Sequence, residues 1–221
     1  QGKIYNKFYT FKLMLHGTHN AIEDPRNEEI FISINGEFFK RNEAKISVFD
    51  SGYLVGDGIW EGFRLKKGKL IFIKEHLDRL WQSAKAVHMN FPFTKEELVE
   101  QVWSILNKNK MTDGVHVRLM VTRGIKKTPS QDPRLAISGP NVVIIPEYKK
   151  ADETTKKKGI TLFTSTIRRG SPDYLDPRLN CHSKLHEVQA LIQAIEAGYD
   201  EALMLDINGF VSTCNATNFF M

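Results

Sequence analysis

The segment Asp176-Pro-Arg-Leu-Asn-Cys-His-Ser-Lys-Leu-His-Glu-Val-Gln-Ala-Leu-Ile-Gln-Ala194 joins an extended, proline-containing run to an amphipathic helix. After Ser183 the apolar residues Leu185, Val188, Leu191, Ile192 and Ile195 recur at helical spacing. Ser183 is the expected N-cap, and Glu187 in the first turn suits the positive end of the helix dipole. Lys184 therefore sits at a helix mouth, where that dipole favours a reactive free amine over an ammonium. The competing reading of Lys184 is an ordinary solvated lysine.

Upstream of this segment, Pro146 to Lys158 is charged and lacks apolar periodicity, so residues 147–158 read as a linker. Strands are expected at Ile160–Ser165, Glu201–Leu205 and Gly209–Ser212, and a further one opens near Met221. Before the linker, Asn141–Ile145 is a short apolar strand. Val115–Val121 alternates, with His116, Arg118 and Met120 opposite Val117 and Leu119. An arginine on such a strand is costly to bury without an anion partner. Helices are expected from His76 to Val87 and from Thr94 through Ile105, the second opened by a capping box of Thr94 and Glu97. Ile30–Ile34 and Glu37–Lys40 form a hairpin around Asn35-Gly36, and Leu65–Lys74 forms another around Lys67-Gly68. Lys45–Phe49 reads as one more strand. Between it and the second hairpin, glycines at 52, 56, 58 and 62 beside Asp57, Glu61 and Arg64 suggest a connector that walls a site. Residues 1–29, including the aperiodic stretch Tyr5–Leu15, read as a peripheral extension.

Composition narrows the class. The chain has 221 residues, 41% apolar and 26% charged, enough for one large or two modest domains. No apolar run reaches membrane-spanning length and no secretory signal is evident. Two cysteines, Cys181 and Cys214, build no disulfide framework, which points to a reducing, cytoplasmic setting. The net charge of +5 is spread among 26 acidic residues, so nucleic acid is not an expected partner, and Lys156-Lys157-Lys158 reads as a solvated face.

Four motifs in order carry a resemblance: Gly56-Asp-Gly-Ile-Trp-Glu-Gly-Phe-Arg64, Glu75-His-Leu-Asp-Arg-Leu80, Thr122-Arg-Gly124 and Glu201-Ala-Leu-Met-Leu-Asp-Ile-Asn-Gly-Phe-Val211. From about Ile30 to Met221 the chain resembles the fold-type IV pyridoxal-phosphate enzymes, which include branched-chain and D-amino-acid aminotransferases and aminodeoxychorismate lyases. The resemblance implies a mixed α/β (α+β) fold of two domains with pyridoxal 5′-phosphate between them, in a homodimer acting on amino acids and 2-oxo acids. Residues 30–146 correspond to the small α/β domain. Residues 159–221 correspond to the start of a larger, β-barrel-like domain whose C-terminal part is expected to be absent. Arg79 matches the arginine that holds the cofactor phosphate, a role suited to a bidentate guanidinium. Arg118 matches a position near the substrate carboxylate, His116 stands where branched-chain members carry tyrosine, and Arg123 matches the Thr-Arg-Gly arginine of the D-amino-acid enzymes.

Two departures bear on activity. The family's Schiff-base lysine aligns with Asn180, whose amide cannot supply that amine or carry the substrate's α-proton. Lys184 aligns with a tyrosine near the cofactor ring hydroxyl and lies four residues after Asn180; if both lie on the helical turn they share a face, which makes Lys184 the candidate catalytic lysine. The family's pyridine-nitrogen glutamate aligns with Thr213, which hydrogen-bonds that nitrogen without favouring its protonation as a carboxylate does.

Three functions follow: an aminotransferase using Lys184, a non-catalytic protein of the same fold, or a metal site. The metal site would be built from Cys181, His182, His186 and Cys214. The family match accounts for this segment without a metal. Asn215-Ala-Thr217 fits a glycosylation sequon, and Cys181 reads as a packing residue.

Overall fold

The computed structural model describes residues 21–151 and 153–221; the Tyr5–Leu15 stretch of the expected extension lies outside them. In chain order, β1 (Ala21–Ile22), β2 (Phe31–Ile34) and β3 (Glu37–Lys40) precede the short helix α1 (Ser51–Val55) and the long strand β4 (Gly58–Lys66). Next come β5 (Lys69–Leu70), α2 (Ile73–Ala86), α3 (Lys95–Lys108), β6 (Val115–Thr122), β7 (Asn141–Tyr148) and β8 (Lys150–Ala151). The last third carries α4 (Glu153–Lys158), β9 (Leu162–Thr164), α5 (Leu185–Glu196), β10 (Glu201–Leu205) and β11 (Val211–Cys214). The fold is mixed α/β, as expected. No helix among the described residues is long and apolar enough to cross a membrane.

An antiparallel six-stranded sheet of order β3-β2-β7-β6-β4-β5 dominates. Its two hairpins close as expected: Asn35 and Gly36 have φ of 53° and 86°, Lys67 and Gly68 of 49° and 72°. Positive φ at both central residues matches the right-handed twist of the flanking strands. The alternation in β6 is literal. Val115, Val117, Leu119 and Val121 are fully buried against Leu77 and Leu80 of α2 and Leu98, Val102, Ile105 and Leu106 of α3. His116, Arg118 and Met120 face the other way. The capping box holds: Glu97 N–H donates to Thr94 Oγ1 at 3.1 Å and Thr94 N–H to Glu97 Oε2 at 2.7 Å.

Several local expectations are corrected. Lys45–Phe49 is not a strand. Among the described residues no neighbour pairs with it as a ladder, Val48 is exposed, and the Phe49 carbonyl accepts Lys126 N–H instead. The glycine-rich connector is not irregular: its first half is α1, and its second half is a strand, because β4 begins at Gly58 and pairs with β6 over eight registered positions. β7 runs through Pro146 to Tyr148, and part of the expected linker is helical, as α4. Within the expected extension, β1 pairs with β8, and Asn27 exchanges hydrogen bonds with the Tyr148 backbone at 2.8 Å in both directions.

The second sheet is small: β9 and β10 run parallel, and β11 is antiparallel to β10. α5 covers it with a face the sequence does not advertise. Ala190 and Ala194 are fully buried against Ala202 and Met204, while Leu185, Val188, Ile192 and Ile195 are exposed. Alanines four apart allow a helix backbone to lie close to a sheet, whereas branched side chains hold it away. Gln193 fixes the orientation by accepting from Ser165 Oγ at 2.7 Å and donating to Thr166 Oγ1 at 2.8 Å. The expected N-cap is also displaced. Lys184 occupies the cap position without a side-chain cap bond, and the Ser183 hydroxyl donates to the Gly56 carbonyl at 3.4 Å.

Candidate active site

The glycine run and the central segment are two halves of one construction. Trp60 N–H donates to the Asn180 carbonyl at 2.8 Å, His182 N–H to the Gly58 carbonyl at 2.9 Å, and the Trp60 indole to the Cys181 carbonyl at 3.1 Å. The segment 180–183 thus lies along the exposed edge of β4, which the glycines keep clear. A Cβ on Gly58 would stand 2.7 Å from His182 Nδ1, and one on Gly56 would stand 2.7 Å from Ser183 Oγ. Such distances are shorter than van der Waals contact.

This docking opens a cleft of about 630 Å³ between the larger sheet and α5 with β11. Trp60 and Gly62 line it from β4, Arg118 from β6 and Arg79 from α2; Asn180 and Lys184 enter from the central segment and Thr213 from β11. Five of the seven residues expected at the site therefore share one cavity. His116 lies two residues from Arg118 on the same face and packs over Gly62, where a Cβ would approach its Nε2 to 3.1 Å. Arg123 is not brought to the cleft. It pairs with both oxygens of Asp57 at 2.6 and 3.0 Å and donates to the carbonyls of Val87 and His88. In this chain the Thr-Arg-Gly motif is a structural clasp: Thr122 donates to the buried Asp50 at 2.7 Å, and Gly124 adopts φ 99° against Gly139.

Arg79 is aimed by Glu61, whose two oxygens accept from its Nε and Nη2 at 2.7 and 2.6 Å while His76 Nδ1 bonds Oε2 at 2.7 Å. Burial pushes the Glu61 carboxyl up, but the bonds from Arg79 and His76 outweigh it and hold it below the usual glutamate range. Arg118 lies over the Trp60 ring at 4.2 Å; burial pulls its guanidinium below the ordinary arginine value, and the charge of Glu147 opposes this. The Thr213 hydroxyl donates to the Thr217 carbonyl at 2.9 Å, so it offers the cleft lone pairs and no proton.

Lys184 is one-third exposed, and its Nζ stands 3.3 Å from Glu187 Oε1. Glu187 is buried and receives Arg169 Nη1 at 2.7 Å. The sequence alone marks Glu187 as a dipole partner and does not single out Arg169. The three-residue spacing of Lys184 and Glu187 in a helical turn is the available signal. A second cavity of about 280 Å³, lined by Cys181, Ser183 and His186, shares Arg169, Pro177, Lys184 and Glu187 with the cleft. Among the described residues no three His, Cys, Asp or Glu side chains gather to hold a metal. His182 packs on Gly52 and Gly58, and Cys181 and Cys214 are separately buried. Asn215 Oδ1 accepts from Ala202 N–H at 2.8 Å, so the sequon asparagine is engaged inside the fold.

Comparison with known proteins identifies the frame. The model of the family described as amino-transferase class IV matches residues 58–221. A branched-chain-amino-acid aminotransferase-like protein 2 of Arabidopsis thaliana is 41% identical over 197 residues, 89% of this chain and 35% of that protein. A D-alanine aminotransferase of Staphylococcus epidermidis is 32% identical over 137 residues, 62% of this chain and 48% of that one. Among solved structures, a T.th. branched-chain amino acid aminotransferase with pyridoxamine 5′-phosphate superposes with a TM-score of 0.75 at 28% identity. The superposition covers 85% of this chain and 62% of that one. The chain thus spans about a third of the length of the plant relative and under two thirds of the solved one. With the family match running from the start of β4 to Met221, and the backbone following a solved member closely, the chain belongs to the amino-transferase class IV family.

Proposed function

We propose that this protein is a pyridoxal 5′-phosphate-dependent aminotransferase acting on an amino acid and a 2-oxo acid, with Lys184 in the role that Asn180 cannot fill. The observation that carries the reading is that Lys184 lines the same cleft as Arg79, Arg118, Asn180 and Thr213. The residues fit the cofactor. The cleft volume is that of a small-molecule site, Gly62 leaves its floor clear of a Cβ, and the lining is cationic enough for a phosphate dianion.

When bound, pyridoxal phosphate supplies an electron-withdrawing ring that stabilises the charge left on the α-carbon as its C–H bond breaks. The chain's residues do the rest. Arg79 uses two of its five N–H donors on Glu61 and keeps the others for phosphate oxygens. Arg118, stacked on Trp60, receives a carboxylate. Thr213 Oγ1, its O–H donated to the Thr217 carbonyl, would hold the ring nitrogen as an acceptor, and the Asn180 amide would hold ring substituents. Lys184 Nζ is the amine nucleophile and carries the proton between the α-carbon and its neighbour. A homodimer is part of this proposal, checked by sedimentation across a concentration series.

A second reading has its own support. Asn180 and Thr213 together remove two chemical groups of the family, and the Lys184 amine is held by a carboxylate. This is what a binding protein descended from the same fold would retain. Borohydride reduction of protein incubated with pyridoxal phosphate, followed by peptide mass spectrometry, separates the two. The aminotransferase reading expects a pyridoxyl adduct on the Lys184 peptide that Lys184→Ala abolishes. An adduct pattern unchanged in Lys184→Ala, or no adduct, establishes the non-catalytic reading.

A further inference from the structure

Glu187 is 8% exposed, and its Oε2 has no hydrogen-bond partner among the described residues. Its other oxygen is crowded: Arg169 Nη1 stands at 2.7 Å, Lys184 Nζ at 3.3 Å and His186 Nε2 at 3.7 Å. A carboxylate oxygen buried without a donor is unfavourable, and native proteins rarely leave one so without use. Among the described residues, Glu187 is also the one carboxylate lining a cleft whose wall carries five cationic side chains, those of Arg79, Arg118, Arg169, Arg178 and Lys184. The arginines suit phosphate and carboxylate oxygens. They leave Glu187 as the place in the cleft where positive charge is welcome.

We propose that Glu187 Oε2 receives a primary ammonium, that of the incoming amino acid, and takes up the proton this amine must lose before it reacts. The inference rests on the aminotransferase reading. Exchange of one amine for another at a single carbon brings the incoming nitrogen beside Lys184 Nζ. The two oxygens of a carboxylate lie side by side, and Oε1 stands 3.3 Å from Nζ, so a turn of the carboxylate would bring the buried Oε2 to the new nitrogen. In the step an N–H bond of the ammonium breaks and an O–H bond forms on Oε2. The electron pair stays on nitrogen, which becomes nucleophilic, and the neutral carboxyl returns its proton to the departing Lys184 amine. Nothing is oxidised or reduced. Arg169 Nη1 pairs with Oε1 at 2.7 Å and holds the carboxylate in place, and Arg118 takes the substrate's carboxylate.

The test compares L-leucine with 4-methylpentanoate, the same carbon skeleton without the amino group, by calorimetric binding to the purified protein. Wild-type protein binds leucine more tightly. Glu187→Gln weakens leucine by roughly ten- to a hundredfold, as loss of a charged hydrogen bond does, and leaves 4-methylpentanoate within about twofold. Equal weakening of both, which a merely structural role produces, overturns the proposal. So does an unchanged leucine affinity, or a wild-type protein indifferent to the amino group. Should Glu187→Gln fail to fold, Glu187→Asp keeps the charge and withdraws the oxygens by one methylene. Selective loss of leucine is expected there too, and wild-type leucine affinity overturns the idea. Borohydride trapping separates the two levels. An adduct on Lys184 without selective loss in Glu187→Gln sinks the ammonium site alone, while selective loss without an adduct keeps the ammonium contact and removes the proton transfer together with the aminotransferase reading.

Discussion

His182 lies flat over Gly52 and Gly58 with its Nε2 buried and unpartnered among the described residues. Burial holds the imidazole below its ordinary value, with the attraction of Asp50 opposing. The unfolded chain protonates this ring at the ordinary value. The stability tied to neutral His182 is therefore complete above that value and is lost as pH falls through the lowered one. The melting temperature is expected to decline below about pH 6.5, with His182→Gln flattening this leg of the profile in a series of thermal melts. An unchanged slope would place the pH dependence elsewhere. At this scale the sequence is partly legible. Arg79, Arg118, Lys184 and Thr213 can be found because motif position marks them. The bonds that aim Arg79 cannot, since Glu61 lies 18 residues earlier on a strand and only the folded sheet brings it beneath α2. Arg123 shows the opposite limit: its motif position is readable, but the four acceptors that occupy it are not.

At the scale of elements, the glycines of β4 matter because the 180–183 segment lies against them. Gly58→Ala places a methyl group in the His182 ring and is expected to lower stability by about 1–3 kcal/mol, the range for overpacking, in urea titrations. Trapping of pyridoxal phosphate on Lys184 should fall further than stability does, because the displaced segment carries the lysine. Full trapping in a destabilised but folded variant would dissociate the two. Hairpins and capped helices are legible from local chemistry, as Asn35-Gly36 and Thr94 with Glu97 demonstrate. The burial of α5 is not. Its periodicity correctly marks a helix, but a period gives the spacing of a face and not what meets it, and the sheet accepts the alanines in place of the leucine and isoleucines. Lys45–Phe49 misleads for a related reason: strand-like composition without a partner strand yields no ladder.

Across the whole molecule the two sheets are unequally supported. Among the described residues, the larger sheet and its helices share a buried cluster of 20 hydrophobic side chains, and the smaller sheet with α5 a cluster of four. The mixed α/β class and the order of elements are legible from pattern and motif, whereas this imbalance depends on which faces meet. The cleft needs both parts, since Trp60 and Arg118 come from one sheet and Thr213 from the other.

The four-residue cluster beneath α5 therefore gives the smaller sheet less burial than the larger one with which to resist local opening. Amides of β10 and α5 are expected to exchange with deuterium through brief local openings, while those of β6 wait for global unfolding. A ligand seated in the cleft binds only the closed form, so at about 100 times its Kd it should slow exchange in β10 and α5 by roughly a hundredfold and leave β6 much less changed. The protein would then record occupancy of its cleft as a difference in the rhythm of its two halves.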